Sequence, residues 1–137
     1  MSQLDARSEA RLRGVHPHLI AVVRRCAEIG GMPFIVTEGV RTLMRQAELV
    51  RAGASRTMKS RHLTGHAVDL AVLLDDEVRW DWPLYHQLAA KMKASARALA
   101  ISLEWGGDWT SFPDGPHFQL PWREYPDESA GADRQAA

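Results

Sequence analysis

A chain of 137 residues with 45% hydrophobic content is long enough for one compact domain around one core. Its 17 basic and 17 acidic residues cancel to zero net charge, so no long-range basic field argues for nucleic acid as the main partner. A single cysteine excludes an intramolecular disulfide and any cysteine-rich metal site. The first ten residues, MSQLDARSEA, lack the apolar segment of a secretory signal, and no apolar run is long enough to span a bilayer. These features predict a protein held in a cytoplasm, without stable membrane association.

In chain order, residues 3–13 read as a short charged helix. Pro17 suits the first turn of a stronger one, in which Leu19, Ile20, Val22, Val23, Cys26, Ala27 and Ile29 form an apolar stripe and Gly30-Gly31 supplies the stop. Cys26 reads as a buried residue of that stripe, since nothing near it in sequence would activate a thiol. Phe34–Thr37, aromatic and β-branched, predicts a strand, with Arg41 just beyond it. Helical periodicity returns over residues 42–52 through Leu43, Met44, Ala47 and Val50, and Gly53 closes it.

A basic cluster, Arg51, Arg56, Lys59 and Arg61, runs into a polar loop over residues 54–61. It reads either as a solvated face or as a docking surface for an acidic polymer or peptide carboxylate. Residues 67–74 alternate as a strand, with Ala67, Asp69, Ala71 and Leu73 on one face. Asp75-Asp76 makes an exposed acidic turn, with Val78–Trp80 as the hairpin partner. Pro83 opens the clearest helix, which runs towards Ala100 with Leu84, Leu88, Met92, Ala96 and Leu99 on one side. Residues 101–104 and 117–120 complete the strands. The expectation is an α+β domain over residues 1–125, a small antiparallel sheet packed with helices, and a disordered tail over residues 126–137.

The chemistry concentrates in two places. Asp69 lies in an apolar strand, where an unpaired carboxylate is costly to bury and a bound cation removes the cost. His62 comes seven residues earlier, and Gly65 among the six intervening residues lets the loop turn so that both side chains converge. His62 and His66 form a rival pair at helical spacing. The helical zinc motif, however, needs glutamate after its first histidine, and here Leu63 stands there. His66 is therefore assigned a supporting or substrate-facing role. Downstream, Asp114-Gly-Pro-His117 is a proline-stiffened bend able to aim a carboxylate and an imidazole at one point; as an isolated motif, Asp-Gly is ordinary turn chemistry. A catalytic zinc takes three protein ligands and keeps one position open. The residues predict one zinc ion on His62, Asp69 and His117, with Asp114 as the base beside the attacking water.

Ser60-x-His62-x-x-Gly65-x-Ala67-x-Asp69, followed by Asp114 and His117, resembles the M15 zinc peptidases over about Val15–Leu120. These comprise D-Ala-D-Ala carboxypeptidases and dipeptidases and the L-alanyl-D-glutamate endopeptidases of bacteriophages, and the Hedgehog signalling domain shares their fold. The resemblance implies a Hedgehog/DD-peptidase-like fold and the same ligand set. It also implies that Arg41 polarises the substrate carbonyl, the alternative for Arg41 being a salt bridge with Glu38. It assigns Ser60, His66, Asp108 and Trp109 to substrate binding, Ser60 also to ordering of the motif and Trp109 to a wall of the site. Many D-Ala-D-Ala members carry glutamate where this chain has Asp114, so the shorter acid resembles the phage branch. The implied activity is that of a monomeric phage endolysin cutting the L-Ala–D-Glu bond of peptidoglycan stem peptides, held in the host cytoplasm until a holin opens the way to the periplasmic wall. The alternatives are a D-Ala-D-Ala carboxypeptidase or dipeptidase, and a non-catalytic Hedgehog-like zinc module.

Overall fold

The computed structural model describes residues 4–55 and 57–126. Arg56 of the basic cluster and residues 127–137 of the expected tail lie outside the described residues. Helices α1 (Ala6–Arg11) and α2 (Pro17–Ile29) come first, then strand β1 (Phe34–Glu38) and helix α3 (Leu43–Arg51). A 3-10 turn at Arg61–Thr64 leads into β2 (Ala67–Leu74) and β3 (Glu77–Arg79), followed by α4 (Trp82–Ala98). Strand β4 (Glu104–Trp105), a 3-10 turn at Gly106–Asp108 and β5 (His117–Gln119) end the fold. The sheet is antiparallel with strand order β1-β2-β5-β4, and β3 also pairs with β2.

Strand alternation divides the sheet into a packing face and a site face. Val68, Leu70 and Val72 of β2 and Phe118 of β5 join Leu19, Val22, Val23 and Cys26 of α2 and Leu88, Met92 and Ala96 of α4 in one core. Burial pushes the Cys26 thiol up to about 11, so it is an inert core residue. The residues in between, Asp69 and His117, are left on the other face and stand opposite each other across β2 and β5.

Two elements depart from the sequence expectation. Helix α3 exposes Leu43 and Met44 at 67% and 74%, whereas its buried residue is Gln46. It packs a polar side chain inwards because its neighbours there are Arg41, Ser55 and Thr57, not the core. The strand expected over 101–104 is reduced to Glu104–Trp105, because its partner β5 has only three residues and is bracketed by Pro116 and Pro121. The Asp75-Asp76 turn has φ of 51° and 64°, the left-handed pair that matches the twist of a two-residue hairpin.

Helix α4 ends in a Schellman motif: the Ile101 N–H donates to the Ala96 carbonyl (2.9 Å) and the Ala100 N–H to that of Arg97 (3.1 Å). Ala100 occupies the left-handed position at φ 57° with a Cβ that disfavours it. Ala100→Gly is expected to stabilise the domain by about 1 kcal/mol. A urea midpoint that stays put or falls would contradict this.

Candidate active site

The turn that carries His62 is built by its neighbours. The Ser60 hydroxyl accepts the His62 N–H (3.2 Å), and Gly65 closes the turn at φ 80°. A Cβ on Gly65 would come within 2.5 Å of the Gly14 carbonyl, so glycine is required for the approach as well as for the angle. The His62 ring lies with Nδ1 at 2.8 Å from the Gly39 carbonyl and Nε2 at 3.2 Å from Asp69 Oδ1. On β5, His117 places Nδ1 at 3.3 Å from the same Asp69 oxygen and Nε2 at 2.7 Å from Gln119 Oε1.

These contacts set the proton positions. A carbonyl only accepts, so His62 Nδ1 donates to Gly39 and the neutral ring turns its lone pair towards Asp69. The Gln119 amide nitrogen faces Glu104 Oε2 at 3.5 Å, which leaves Gln119 Oε1 to accept from His117 Nε2. Two nitrogen lone pairs and a carboxylate oxygen therefore face one another, a repulsive set unless a proton or a metal ion lies among them. The three ligand atoms are within 4.8 Å of one another. Each histidine gives its outer N–H to an oxygen, as metal-bound histidines do. The donor set of His62, Asp69 and His117 thus fits a metal ion.

Burial works against a charged Asp69, yet hydrogen bonding from His117 and His62 outweighs it and holds the carboxyl well below its ordinary range. Burial likewise opposes charge on His117, but the hydrogen bond and charge of Asp69 carry the imidazole above its usual value. Asp114 shifts the other way: burial, reinforced by the charge of Asp69, raises it. Its bend is fastened by Asp114 N–H to the Gly106 carbonyl (2.9 Å), and a Cβ on Gly106 would come within 2.4 Å of the Asp114 carbonyl oxygen. Among the described residues nothing hydrogen-bonds to the Asp114 carboxyl.

Arg41 makes the salt bridge with Glu38 and also lines the site. It pairs with Glu38 through Nε and Nη2 (both 2.7 Å), and Nη2 also comes within 3.5 Å of Asp69 Oδ2. Its Nη1 donates to Gln46 Oε1 (2.7 Å), while the Gln46 amide donates to Ser55 Oγ (2.9 Å) and the Thr57 carbonyl (2.6 Å). Sequence reasoning missed Gln46 and gave no role to Glu104 or to Gln119. The available signals were the weak apolar content of α3 and the strand alternation that puts Gln119 beside His117.

A cleft of about 510 Å³ gathers Arg41, Ser60, His62, Asp69, Trp109, Asp114 and His117. The Trp109 ring is 5.0 Å from that of His117, and its Nε1 donates to Glu104 Oε1 (2.8 Å). Two of the expected site residues lie elsewhere. His66 turns away from the cleft, bonds Thr64 Oγ1 (2.7 Å) and packs 5.5 Å from the His16 ring. Asp108 is exposed and pairs with Lys93 of α4 (2.6 Å), because the 3-10 turn before Trp109 points the two side chains apart. Arg61 of the basic cluster is 1% exposed: it donates to the carbonyls of Leu120, Pro121 and Tyr125 and lies 4.2 Å from the Trp122 ring centroid.

Residues 1–120 match a family profile described as phage L-alanyl-D-glutamate peptidase. The chain belongs to that family. It is 38% identical to the L-alanyl-D-glutamate peptidase of Listeria phage A118 over 77% of this chain, and spans 36% of that protein. With the L-alanyl-D-glutamate peptidase of Escherichia phage T5 it shares 31% identity over 78% of this chain and 81% of the relative. Among solved structures it is similar to the Serratia marcescens L-Ala D-Glu endopeptidase ChiX, with TM-score 0.84, 51% identity, and 88% and 91% of the two chains covered. The D,D-dipeptidase VanXYg matches at TM-score 0.52 and 17% identity over 88% of this chain and 55% of its own, a likeness of fold alone. The expected Hedgehog/DD-peptidase-like α+β fold is borne out by these neighbours.

A metal ion held by this donor set would bind in a pH-dependent way. In the metal-free state the raised His117 contributes stability that is fully present below the unfolded histidine value, near 6.5, and is lost as pH rises through its higher folded value. A metal ion needs that imidazole deprotonated. The rise in Tm on adding a divalent transition-metal ion is expected to be larger at pH 8 than at pH 5.5. An equal rise at both, by calorimetry, would contradict this ligand set.

Proposed function

We propose that this family member is a zinc-dependent endopeptidase that hydrolyses the L-Ala–D-Glu amide of peptidoglycan stem peptides and serves a phage in host lysis. The observation that carries the reading is the convergence of His62, Asp69 and His117 on one point of a cleft that also holds Asp114 and Arg41. The names of the phage relatives and of ChiX support the bond assigned.

His62 Nε2, His117 Nδ1 and an Asp69 oxygen would hold one zinc ion. Bound there, Zn²⁺ supplies Lewis acidity, which brings the pKa of water down to about 7 and polarises a carbonyl. Asp114 takes the proton of the attacking water and returns it to the leaving amine; its raised affinity for protons and, among the described residues, its lack of a hydrogen-bond partner suit both transfers. Arg41 offsets charge on the tetrahedral oxygen, a role that can be worth about 3 kcal/mol. Glu38 and Gln46 fix its guanidinium plane before substrate arrives. Trp109 forms a wall of the site, and Ser60 orders the turn of His62.

Among the described residues no helix is long and apolar enough to cross a membrane. The proposed setting is a monomeric enzyme kept in the host cytoplasm and given access to the wall by a holin. Digestion of purified murein, followed by mass spectrometry of the new termini, tests bond and metal together. New L-Ala and D-Glu termini that vanish with a zinc chelator are expected. Loss of terminal D-Ala alone would identify a carboxypeptidase, and no cleavage a binding module. Asp114→Asn is expected to keep stoichiometric zinc and lose about 10²- to 10⁴-fold in kcat. Full activity in that variant would overturn its assignment as the base.

A further inference from the structure

The charged groups that line the cleft are nearly all answered by the protein itself. Glu38 is paired with Arg41, Asp69 faces His62 and His117, and Glu104 accepts from Trp109 and Gln119. Arg61 is spent on backbone carbonyls. Asp114 remains for proton transfer. Lys59 also lines the cleft, is exposed, and among the described residues its ammonium makes no ion pair or hydrogen bond.

The backbone under Lys59 is anchored. Gln46 binds the Thr57 carbonyl and Ser55, the Thr57 hydroxyl accepts the Lys59 N–H (2.9 Å), and the next residue, Ser60, caps the turn of His62. Because Gln46 also holds Arg41, the loop that carries Lys59 is referenced to the same side chain as the site itself. A flexible stem on a fixed base places one mobile positive charge at the rim of a cleft whose other exposed charges are compensated or acidic.

We propose that Lys59 is a specificity-determining residue that pairs with the free carboxylate of the substrate's glutamate. This rests on the endopeptidase reading above. A D-glutamate cut on its amino side carries two carboxyl groups, of which chain continuation uses one. The other would enter a cleft already holding Glu38, Asp69, Glu104 and Asp114, and needs a cation there. Among the described members of the basic cluster, Lys59 is the one that lines the cleft with an exposed ammonium, while Arg61 is structural.

The test uses the zinc-loaded full chain and two stem peptides that differ only in whether the second carboxyl of D-glutamate is free or a primary amide. Wild type is expected to show a KM about five- to tenfold lower for the carboxylate form, an advantage that shrinks with added salt. Lys59→Gln should bring the KM ratio to near one, with the change in KM rather than kcat, and Lys59→Arg should restore it. A wild-type enzyme indifferent to amidation, or a Lys59→Gln variant that keeps the wild-type ratio, overturns the proposal and leaves the endopeptidase reading standing. A wild type that cuts neither peptide overturns both.

Discussion

The register of two strands governs the site. Asp69 and His117 stand directly opposite each other in an antiparallel pair, so their side chains are obligatory neighbours on one face. A slip of one residue would send His117 into the core and bring Phe118 out to the cleft, exchanging the two faces of β5. The core fixes that register, since Phe118 is fully buried against the side opposite Asp69. The geometry of this candidate metal site is thus held by apolar packing on the far side of the sheet. What the sheet brings together is electrostatically incomplete: two lone pairs and a carboxylate share one small space, and a proton or a metal ion resolves it.

Around that point the protein builds with polar groups where a core would use apolar ones. Gln46 is fully buried yet makes three hydrogen bonds, to Arg41, Ser55 and Thr57. A buried amide is tolerable only when its donors and acceptor are matched, and mismatch costs more than the bonds return. The arrangement gives orientation in place of net stability. Arg41 has its plane set from two sides, which removes a freedom it would otherwise lose on meeting substrate. The Trp109–Glu104–Gln119–His117 chain does the same for one ligand, fixing by hydrogen bonds which imidazole nitrogen faces the site.

Much of this was legible in the sequence because it depends on local rules. Helix α2 begins at Pro17, and β2 spans the alternating run 67–74, just as capping and periodicity predict. The convergence of His62, Asp69 and His117 could be read because a carboxylate in an apolar strand demands a partner. What escaped was set by tertiary direction. His66 and Asp108 have the right chemistry at nearly the right place, but the Gly65 turn and the 106–108 turn aim them at His16 and Lys93. Gln46 escaped because a polar residue in a short helix normally faces water, and nothing local announces that Arg41 waits beneath it. Arg61 and Lys59, alike as charges in sequence, differ completely once burial is known.

That difference follows from chemistry. The guanidinium of Arg61 has several donors in a fixed plane, and the segment that leaves β5 turns a set of carbonyls towards it, from Leu120, Pro121 and Tyr125. A lysine ammonium, compact and strongly hydrated, could not satisfy them at once. Arg61 precedes His62 in the same turn, and Leu120 follows His117 by three residues. The clamp therefore ties the two histidine-bearing segments together a second time, independently of the β2–β5 ladder. With both links present, the cost of ordering the ligands falls on folding, before metal or substrate arrives.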